Sequence, residues 1–269
     1  MVDENATTFD DGAAYKQFMG RWSRAVGAVF LEWLAASKGA SWLDVGCGTG
    51  AFTELVVETC SPASVVAVDP SVTQINYARE QQVAQIVDFQ VADAQSLPFP
   101  NRVFDVVASA LVINFIPDRQ RALTEMRRVS RPFGVVAGYV WDFAKERNPT
   151  WPLALGIRQI GIEPPRIAGT EESSIKALEA LFEGAGFDDI AVKSIEVTME
   201  FSNFDDYWRT QTPAFLSLSK IIAKMSKNER IKMIEFVRST LPTGPNGSIA
   251  YSVRANAIKA RMSHDALLS

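Results

Sequence analysis

The chain has 269 residues, of which 47% are hydrophobic and 22% are charged, a balance typical of a globular protein with a sizeable buried core. This composition excludes an intrinsically disordered or fibrous chain. The formal net charge is -4, which provides no overall positive field, and we therefore expect no nucleic-acid partner.

The sequence also argues against secretion, membrane insertion and metal binding. Residues 1–12 are acidic and polar, without the apolar core of a signal peptide. The longest apolar run, residues 104–118, is interrupted by polar residues and is too short to span a bilayer. Cys47 and Cys60 form neither a C-x-x-C pair nor a disulfide framework, and the single histidine, His264, does not provide a His/Cys metal site. We expect a cytoplasmic protein without a membrane partner or a bound metal.

The first half of the chain predicts strands that alternate with helices. Residues 1–12 are predicted to form a loose tail, and an amphipathic helix follows, in which large apolar residues recur at helical spacing. The predicted strands are "SWLDVG", "SVVAVDPS", "VDFQVAD", "RVFDVVASALVI" and "GVVAGYVWD", and helices follow the first, second and fourth of them. This order is typical of a parallel sheet with helices on both faces.

The alternation stops after Asp142. Residues 143–172 are rich in proline and are predicted to be irregular or only briefly helical. A helix in "SIKALEALFEGAGF", a long strand in "DIAVKSIEVTMEF", a helical stretch and a final strand in "GSIAYSVRANAIKARM" follow. We interpret residues 1–269 as a single α/β domain with late insertions at residues 143–172 and 203–245.

Three glycines, Gly46, Gly48 and Gly50, come directly after the first strand in "LDVGCGTG". Glycine permits the positive φ angles of a sharp turn, and it lets a ligand approach the backbone. The helix that follows presents free N–H groups and a partial positive charge. Tight strand-to-helix turns also occur for purely structural reasons, so this loop alone does not identify a binding site.

Two aspartates end the next two predicted strands. Asp69 ends "VVAVD" and Asp93 ends "FQVAD", and the carboxyl ends of parallel strands meet at one edge of the sheet. A carboxylate at the end of the second strand can accept hydrogen bonds from the ribose hydroxyls of a nucleoside. Aspartate at a strand end is also a common turn former or helix cap. Together with the glycines, the aspartates favour a nucleoside site.

Four segments, "LDVGCGTG", "VVAVDPS", "VADAQSLPFPNRVFDVV" and "RRVSRPFGVVAGYVW", resemble successive motifs of class I S-adenosylmethionine-dependent methyltransferases. They are similar to the small-molecule branch that includes ubiquinone and menaquinone biosynthesis enzymes. The resemblance covers residues 15–142, with a weaker similarity in "LEALFEGAGF". It implies a Rossmann-like α/β fold: a seven-stranded, mostly parallel sheet with an antiparallel last strand, helices on both faces and a helical cap. Phe133 departs from the family, which has a glycine there.

The resemblance implies S-adenosylmethionine as the cofactor and carries residue roles over position by position. Asp69 would hold the ribose, and Asp93 would bond the adenine amino group. Pro70 would border the adenine, and Ala94 would provide a backbone contact. The residues implied for the rest of the cofactor are Asp44, Gly46, Cys47, Gly48 and Gly50 at the methionine and sulfonium part, Ser109 and Asn114 at the methyl donor, and Tyr15 and Arg21 at the carboxylate.

The resemblance also implies a small-molecule methyl acceptor, which we expect to be apolar or aromatic. Transfer from a sulfonium needs positioning more than acid–base chemistry, so we assign no catalytic base, and His264 is expected to be a solvated surface residue. Aromatic side chains near the fifth strand and the cap are candidates to stack on the acceptor, although core packing explains about half of them. These candidates are Tyr139, Trp141, Trp151, Tyr207 and Trp208.

Two alternatives remain open. An NAD(P)-dependent oxidoreductase would use Gly46, Gly48 and Ala51 as a dinucleotide loop and Asp69 for the ribose. Against it, the sequence contains no Tyr-x-x-x-Lys pair and no obvious hydride-transfer histidine in a second domain. The second alternative is a non-catalytic, methyltransferase-like module that binds S-adenosylmethionine, or nothing, and acts through a partner.

Overall fold

The structure is a computed structural model that describes residues 12–261, with side chains from Phe18 onwards. His264 and most of the predicted tail lie outside the described residues. The strands are β1 Ser41–Val45, β2 Ser64–Asp69, β3 Val87–Val91, β4 Phe104–Ala110, β5 Ser130–Trp141, β6 Asp189–Phe201 and β7 Ile249–Arg261. The α-helices are α1 Gly12–Leu34, α2 Ala51–Cys60, α3 Val72–Arg79, α4 Arg119–Val129, α5 Trp151–Gln159, α6 Ile175–Gly184, α7 Phe204–Gln211, α8 Ser217–Lys224 and α9 Lys227–Thr240.

The seven strands form one sheet in the order β3-β2-β1-β4-β5-β7-β6. β7 pairs antiparallel with both β5 and β6, and the other described pairs are parallel. The predicted sheet, with its antiparallel last strand, is therefore confirmed. Since β1 has β2 on one side and β4 on the other, the strand order reverses beside β1. In open α/β sheets ligands bind at such a point, outside the carboxyl ends of the strands.

Helices cover both faces of the sheet because apolar side chains of the central strands alternate between two cores. Trp42 of β1 belongs to the core that contains Phe30 of α1 and Phe52 of α2. Leu43, the next residue, belongs to the core that contains Leu123 of α4 and Phe182 of α6. A buried parallel strand is apolar on both faces for this reason.

The late segments hold more helix than their composition predicts. α5 lies within the proline-rich residues 143–172, and Pro152 occupies its first turn, where a missing N–H costs little. The helical stretch within residues 203–245 divides into three helices. The last of these, α9, begins at a capping box in which Ser226 and Glu229 each accept the other's backbone N–H. None of the described helices has an apolar segment long enough to cross a bilayer.

Phe133, the departure from the family pattern, lies at the amino end of β5. Its φ is 63° and its side chain is exposed. The pairing of β5 with β4 shifts register between Phe104 and Val106, so the β5 segment around Phe133 bulges from the sheet. Because the bulge lies at the amino edge, it leaves the carboxyl edge unaltered.

A carboxylate joins three strands at the same amino edge. Asp105 of β4 accepts hydrogen bonds from the N–H and hydroxyl of Ser41 at 2.8 Å and 2.7 Å, and from Arg131 at 2.9 Å. Partial burial raises the pKa of Asp105, but the hydrogen bonds from Ser41 and the charge of Arg131 outweigh it and hold that pKa below its usual value.

We expect Asp105→Ala to lower the free energy of unfolding by about 1 to 2 kcal/mol, because hydrogen bonds to a partly exposed charge are lost. Urea unfolding of wild type and variant at neutral pH measures the difference. A depressed carboxyl pKa stabilises the fold above its unfolded value of 3.8 and loses that effect as the pH falls through the folded value. Equal stability at neutral pH would contradict this role.

Candidate functional site

The loop between β1 and α2 is held in a shape that suits glycine. Gly46, Gly48 and Gly50 have φ angles of 79°, 53° and 84°, in the left-handed region that side chains rarely adopt. The N–H groups of Gly46 and Cys47 donate to the carbonyl of Val68 at 2.8 Å and 2.9 Å. These bonds tie the loop to the end of β2.

The three glycines differ in what surrounds them. A Cβ atom on Gly46 would lie 2.6 Å from Val112, and one on Gly50 would lie 3.1 Å from Phe89. A Cβ atom on Gly48 would have no atom of the described protein within 4 Å. Gly46 and Gly50 are therefore needed for packing within the protein, whereas Gly48 presents bare backbone to open space.

Asp69 is the hydrogen-bond partner of the Gly48 backbone. Its Oδ2 accepts the N–H of Gly48 at 2.9 Å, and its Oδ1 accepts the N–H of Ser71 at 2.9 Å. Burial raises the pKa of Asp69, and the two backbone hydrogen bonds oppose that rise. Each carboxylate oxygen can accept more than one hydrogen bond, so both retain capacity for hydroxyl donors of a ligand.

Asp44 is the buried second-last residue of β1, just before the same loop. Its Oδ2 accepts the hydroxyl of Thr53 at 2.6 Å, while its buried Oδ1 has no partner among the described residues. Burial raises the pKa of Asp44 to about 7; the Thr53 hydrogen bond lowers it and the charge of Asp69 raises it. A carboxylate with an unsatisfied buried oxygen is suited to a cationic group.

The loop also contains Cys47, whose thiol is buried. Burial raises the pKa of Cys47 well above its usual value, and the charges of Asp44 and Asp69 add to the effect. The thiolate is the reactive form of cysteine, so Cys47 is a small residue that fits the loop rather than a nucleophile.

Asp93 follows β3 at the same edge as Asp69, as the register of the strands requires: Val91, the last residue of β3, pairs with Asp69. The Asp93 carboxylate is exposed and accepts the backbone and side-chain N–H groups of Gln95 at 2.9 Å and 3.0 Å. Pro70 is exposed beside Asp69, and Ala94 is buried. The structure thus brings Asp69, Pro70 and Asp93 to one edge.

Sequence reasoning missed two apolar residues at this edge. Val72, at the start of α3, is 57% exposed, and Val91 is 45% exposed. They provide apolar surface near Asp69 and Asp93, which suits a flat ring with polar groups at its rim. In the sequence, the available signal was a large apolar residue next to a strand-end aspartate. Whether such a residue is exposed cannot be read from the sequence alone.

The β4 end contributes two buried polar side chains. Ser109 and Asn114 are each 1% exposed, and neither the Ser109 hydroxyl nor the Asn114 amide has a hydrogen-bond partner within the described part of the chain. Asn114 lies in the 3-10 helix Ile113–Phe115, close to Val112, which packs on Gly46. Val112 thus links this segment to the glycine loop, and a role for Ser109 and Asn114 at the methyl donor stays a prediction.

The N-terminal candidates are placed differently. Tyr15 lies in α1, in the part whose side chains the structure does not describe. The guanidinium of Arg21 donates to the carbonyl of Glu200 at 3.2 Å, at the end of β6. In the strand order β6 is separated from β1 by β4, β5 and β7, a distance of roughly 19 Å at the usual strand spacing. The structure therefore places Arg21 beside β6, and its assignment to the cofactor carboxylate stays a prediction.

The five aromatic candidates pack against the protein's own side chains. Tyr139 is buried with its ring 4.8 Å from Phe30, and Trp141 is buried at the end of β5. The other contacts, as ring-centre distances, are Tyr207 with Tyr251 at 5.7 Å, Trp151 with Tyr251 at 6.2 Å and Trp208 with Phe204 at 5.9 Å. A role for these rings in acceptor binding stays a prediction.

The residues at the carboxyl edge fit S-adenosylmethionine. Gly48 leaves open space beside the backbone, Asp69 offers acceptors for ribose hydroxyls, and the unsatisfied Oδ1 of Asp44 complements an ammonium group. No cluster of three His, Cys, Asp or Glu side chains suited to a metal ion occurs in the described part of the chain.

Comparisons with known proteins agree with this geometry. Residues 43–138 match a family model described as a methyltransferase domain. The ubiquinone/menaquinone biosynthesis C-methyltransferase UbiE of Hahella chejuensis is 35% identical over 116 residues, which cover 41% of this chain and 46% of that protein. A fatty-acid O-methyltransferase of Mycolicibacterium smegmatis is 30% identical over 153 residues, covering 54% of this chain and 55% of that protein. The chain thus spans about half the length of the curated relatives it matches.

Solved structures share the fold. The YcgJ protein of Bacillus subtilis superposes with a TM-score of 0.55 at 18% identity, covering 88% of this chain and 98% of that one. A Haemonchus contortus phosphoethanolamine N-methyltransferase 2, solved with S-adenosyl-L-methionine, gives a TM-score of 0.57 at 18% identity and covers 93% of this chain and 56% of that one. The family match identifies residues 43–138 as a methyltransferase domain, and the solved structures show that the chain has the same fold.

Proposed function

We propose that this protein transfers a methyl group from S-adenosylmethionine to a small-molecule acceptor that is apolar or aromatic. The observation that carries the proposal is the carboxyl edge of β1 and β2, where the open backbone at Gly48 is bonded to the Asp69 carboxylate at 2.9 Å. Two curated relatives, named for a C-methyltransferase of quinone biosynthesis and a fatty-acid O-methyltransferase, support an acceptor with an apolar body.

The chain's own residues would bind and orient the reactants. Asp69 would accept hydrogen bonds from the ribose hydroxyls, Asp44 would face the ammonium group, and Gly48 would let the cofactor reach the backbone. S-adenosylmethionine, when bound, supplies a methyl group already activated on a sulfonium sulfur. Holding donor and acceptor in near-attack geometry can lower the barrier by ~7–11 kcal/mol. Positioning is therefore the main contribution that we assign to the protein.

The segments 143–172 and 203–245 are proposed to cover the acceptor. They hold α5 and α7 to α9, and α5 packs against α8 and α9. We further propose that the protein acts in the cytoplasm without a nucleic-acid partner, a proposal supported by its net charge of -4 and its unpaired cysteines, Cys47 and Cys60.

A pair of glycine variants tests cofactor binding at the loop. Gly48→Ala and Gly39→Ala both place a methyl group at a positive φ with no neighbouring atom within 4 Å, so both should cost a similar stability of roughly 1 kcal/mol. Only Gly48→Ala is expected to weaken S-adenosylmethionine binding, by about tenfold, because its methyl group enters the space proposed for the cofactor. Calorimetric titration measures both affinities.

Equal cofactor affinity of the two variants would contradict the placement of the cofactor. Binding of NAD but not of S-adenosylmethionine by the wild type would favour the oxidoreductase alternative. Transfer of labelled methyl groups to a panel of fatty acids, phenols and quinols separates an enzyme from a binding module. Turnover of strongly charged acceptors alone would contradict the apolar acceptor.

A further inference from the structure

The amide of Asn114 is the least explained polar group near the glycine loop. Asn114 is 1% exposed, and neither its Nδ2 nor its Oδ1 has a hydrogen-bond partner in residues 18–261. Buried amides are paired in nearly all proteins because an unpaired one is costly. An unpaired donor and acceptor on one buried side chain at the edge of a binding site are available to bind a ligand.

The backbone around Asn114 is firmly held, so the unpaired amide does not reflect a loose segment. The carbonyl of Asn114 accepts two hydrogen bonds from the guanidinium of Arg119, at 3.2 Å and 2.7 Å. Arg119 also forms an ion pair with Glu172 at 3.4 Å. One arginine thus ties the β4 end to residues 166–172 of the late insertion.

The late insertion packs against Asn114. Gly169 has a φ of 74° and lies so close that a Cβ atom on it would be 1.9 Å from the Asn114 carbonyl oxygen. Residues 166–172 line a depression of about 320 Å³. Gly161 and Gly169, both at positive φ, lie near the two ends of the connection between α5 and the next 3-10 helix. Because Asn114 is 1% exposed, a ligand reaches its amide only if segments packed on it move.

Apolar side chains lie on the segments that meet near Asn114. Phe115, next to Asn114, is 41% exposed, and Ile167 of the covering segment is 37% exposed. The rings of Phe115 and Phe143 meet edge to face at 5.9 Å. These three side chains carry no charge, and the nearby guanidinium of Arg119, which is bonded to the Asn114 carbonyl, is paired with Glu172 at 3.4 Å. A ligand here would be an apolar body with one neutral polar group.

We propose that Asn114 is the polar anchor of the acceptor subsite, where its amide binds a hydroxyl group of an apolar acceptor whose body rests on Phe115, Phe143 and Ile167. A hydroxyl both donates and accepts a hydrogen bond, and a primary amide offers one atom for each. An ammonium group offers donors only, and a carboxylate offers acceptors only, so each would leave one amide atom unpaired. The inference rests on the proposed function and names the acceptor class for it. It also assigns Asn114 to the acceptor instead of to the methyl donor, the role that the family resemblance implies.

The test compares two ligands and three proteins. The ligands are 4-butylphenol and 4-butylanisole, which share an apolar body but differ in the hydroxyl donor. They are titrated into protein saturated with S-adenosylhomocysteine, for the wild type, Asn114→Leu and Asn114→Asp. We expect the wild type to bind the phenol about tenfold more tightly than the anisole, and Asn114→Leu to bind both with equal affinity. Asn114→Asp, which keeps an acceptor atom, is expected to retain part of the preference.

Two controls separate this inference from its alternatives. Asn114→Leu is expected to keep wild-type affinity for S-adenosylmethionine and an equal or higher melting temperature, because it removes unsatisfied buried atoms. A loss of about tenfold in cofactor affinity would return Asn114 to the cofactor, and a lower melting temperature would make it a structural residue. A wild type that binds S-adenosylmethionine but shows no preference for the phenol would overturn the inference alone. A wild type that fails to bind S-adenosylmethionine would overturn the proposed function.

Discussion

Replacing Asp69 by alanine is expected to weaken S-adenosylmethionine binding by roughly a hundredfold or more. The Asp69 carboxylate is pre-oriented by the N–H groups of Gly48 and Ser71, each at 2.9 Å, and it retains capacity for two hydroxyl donors. Hydrogen bonds to a charged group contribute about 1.5–3 kcal/mol each. Loss of two corresponds to ~3–6 kcal/mol, and each 1.4 kcal/mol is about tenfold in affinity.

The Asp69→Ala experiment needs a control for the loss of a surface carboxylate. Asp88 lies early in β3, away from the carboxyl edge, and its side chain is exposed. Asp88→Ala is expected to bind S-adenosylmethionine like the wild type. Calorimetric titration compares the two variants, and circular dichroism verifies that both are folded. A folded Asp69→Ala protein with near wild-type affinity would show that the ribose is not held by Asp69.

The local sequence pattern was sufficient to predict the central sheet and the glycine loop. The run "DIAVKSIEVTMEF" coincides with β6, Asp189–Phe201, because its alternating apolar residues are buried on one face only. The glycines after β1 have the positive φ angles that a sharp strand-to-helix turn requires. These features depend on near neighbours in the chain, which is why sequence alone predicts them.

Other features depend on contacts between distant segments and could not be predicted. Arg21 donates to Glu200 because of the direction in which α1 crosses the sheet, and periodicity does not specify that direction. Tyr139 is an ordinary strand residue in sequence, yet the strand pleat points it at Phe30. Asn114 is buried, and Gly169 packs on it from the late insertion, far along the chain. In each case tertiary packing decides the role of the side chain.

The affinity for S-adenosylmethionine is expected to rise roughly fiftyfold between about pH 5 and about pH 7. Burial raises the pKa of Asp44 to about 7 in the free protein, so its carboxyl group is mostly protonated in the acidic part of this range. A cationic ammonium beside Asp44 favours the carboxylate, so binding must displace a proton. Since affinity scales with the fraction of Asp44 already ionised, it falls about tenfold per pH unit below the pKa.

Calorimetric titration in two buffers with different ionisation enthalpies measures the released proton directly. We expect release of about half a proton near pH 7 and of nearly one proton near pH 6. Asp44→Asn is expected to bind weakly at all pH values and to release no proton in this range. His264→Gln is the matched control, because it removes the chain's single histidine, and histidine is the side-chain type that ordinarily titrates in this pH range. If His264→Gln, and not Asp44→Asn, removed the pH dependence, Asp44 would not be the titrating group.

Protein stability should show the opposite trend with pH, which separates Asp44 from an ordinary surface carboxylate. The folded pKa of Asp44, about 7, lies above its ordinary value of 3.8, so the folded state holds its proton more tightly than the unfolded state. Ionisation of Asp44 therefore destabilises the free protein progressively as the pH rises from about 4 to about 7. Asp44→Asn removes this loss, and its unfolding free energy relative to wild type should increase over the same range. The cofactor would then bind most tightly at the pH at which the free protein is least stable. That result would mark Asp44 as a residue retained for binding, because its ionised form opposes folding until the ammonium group pairs with it.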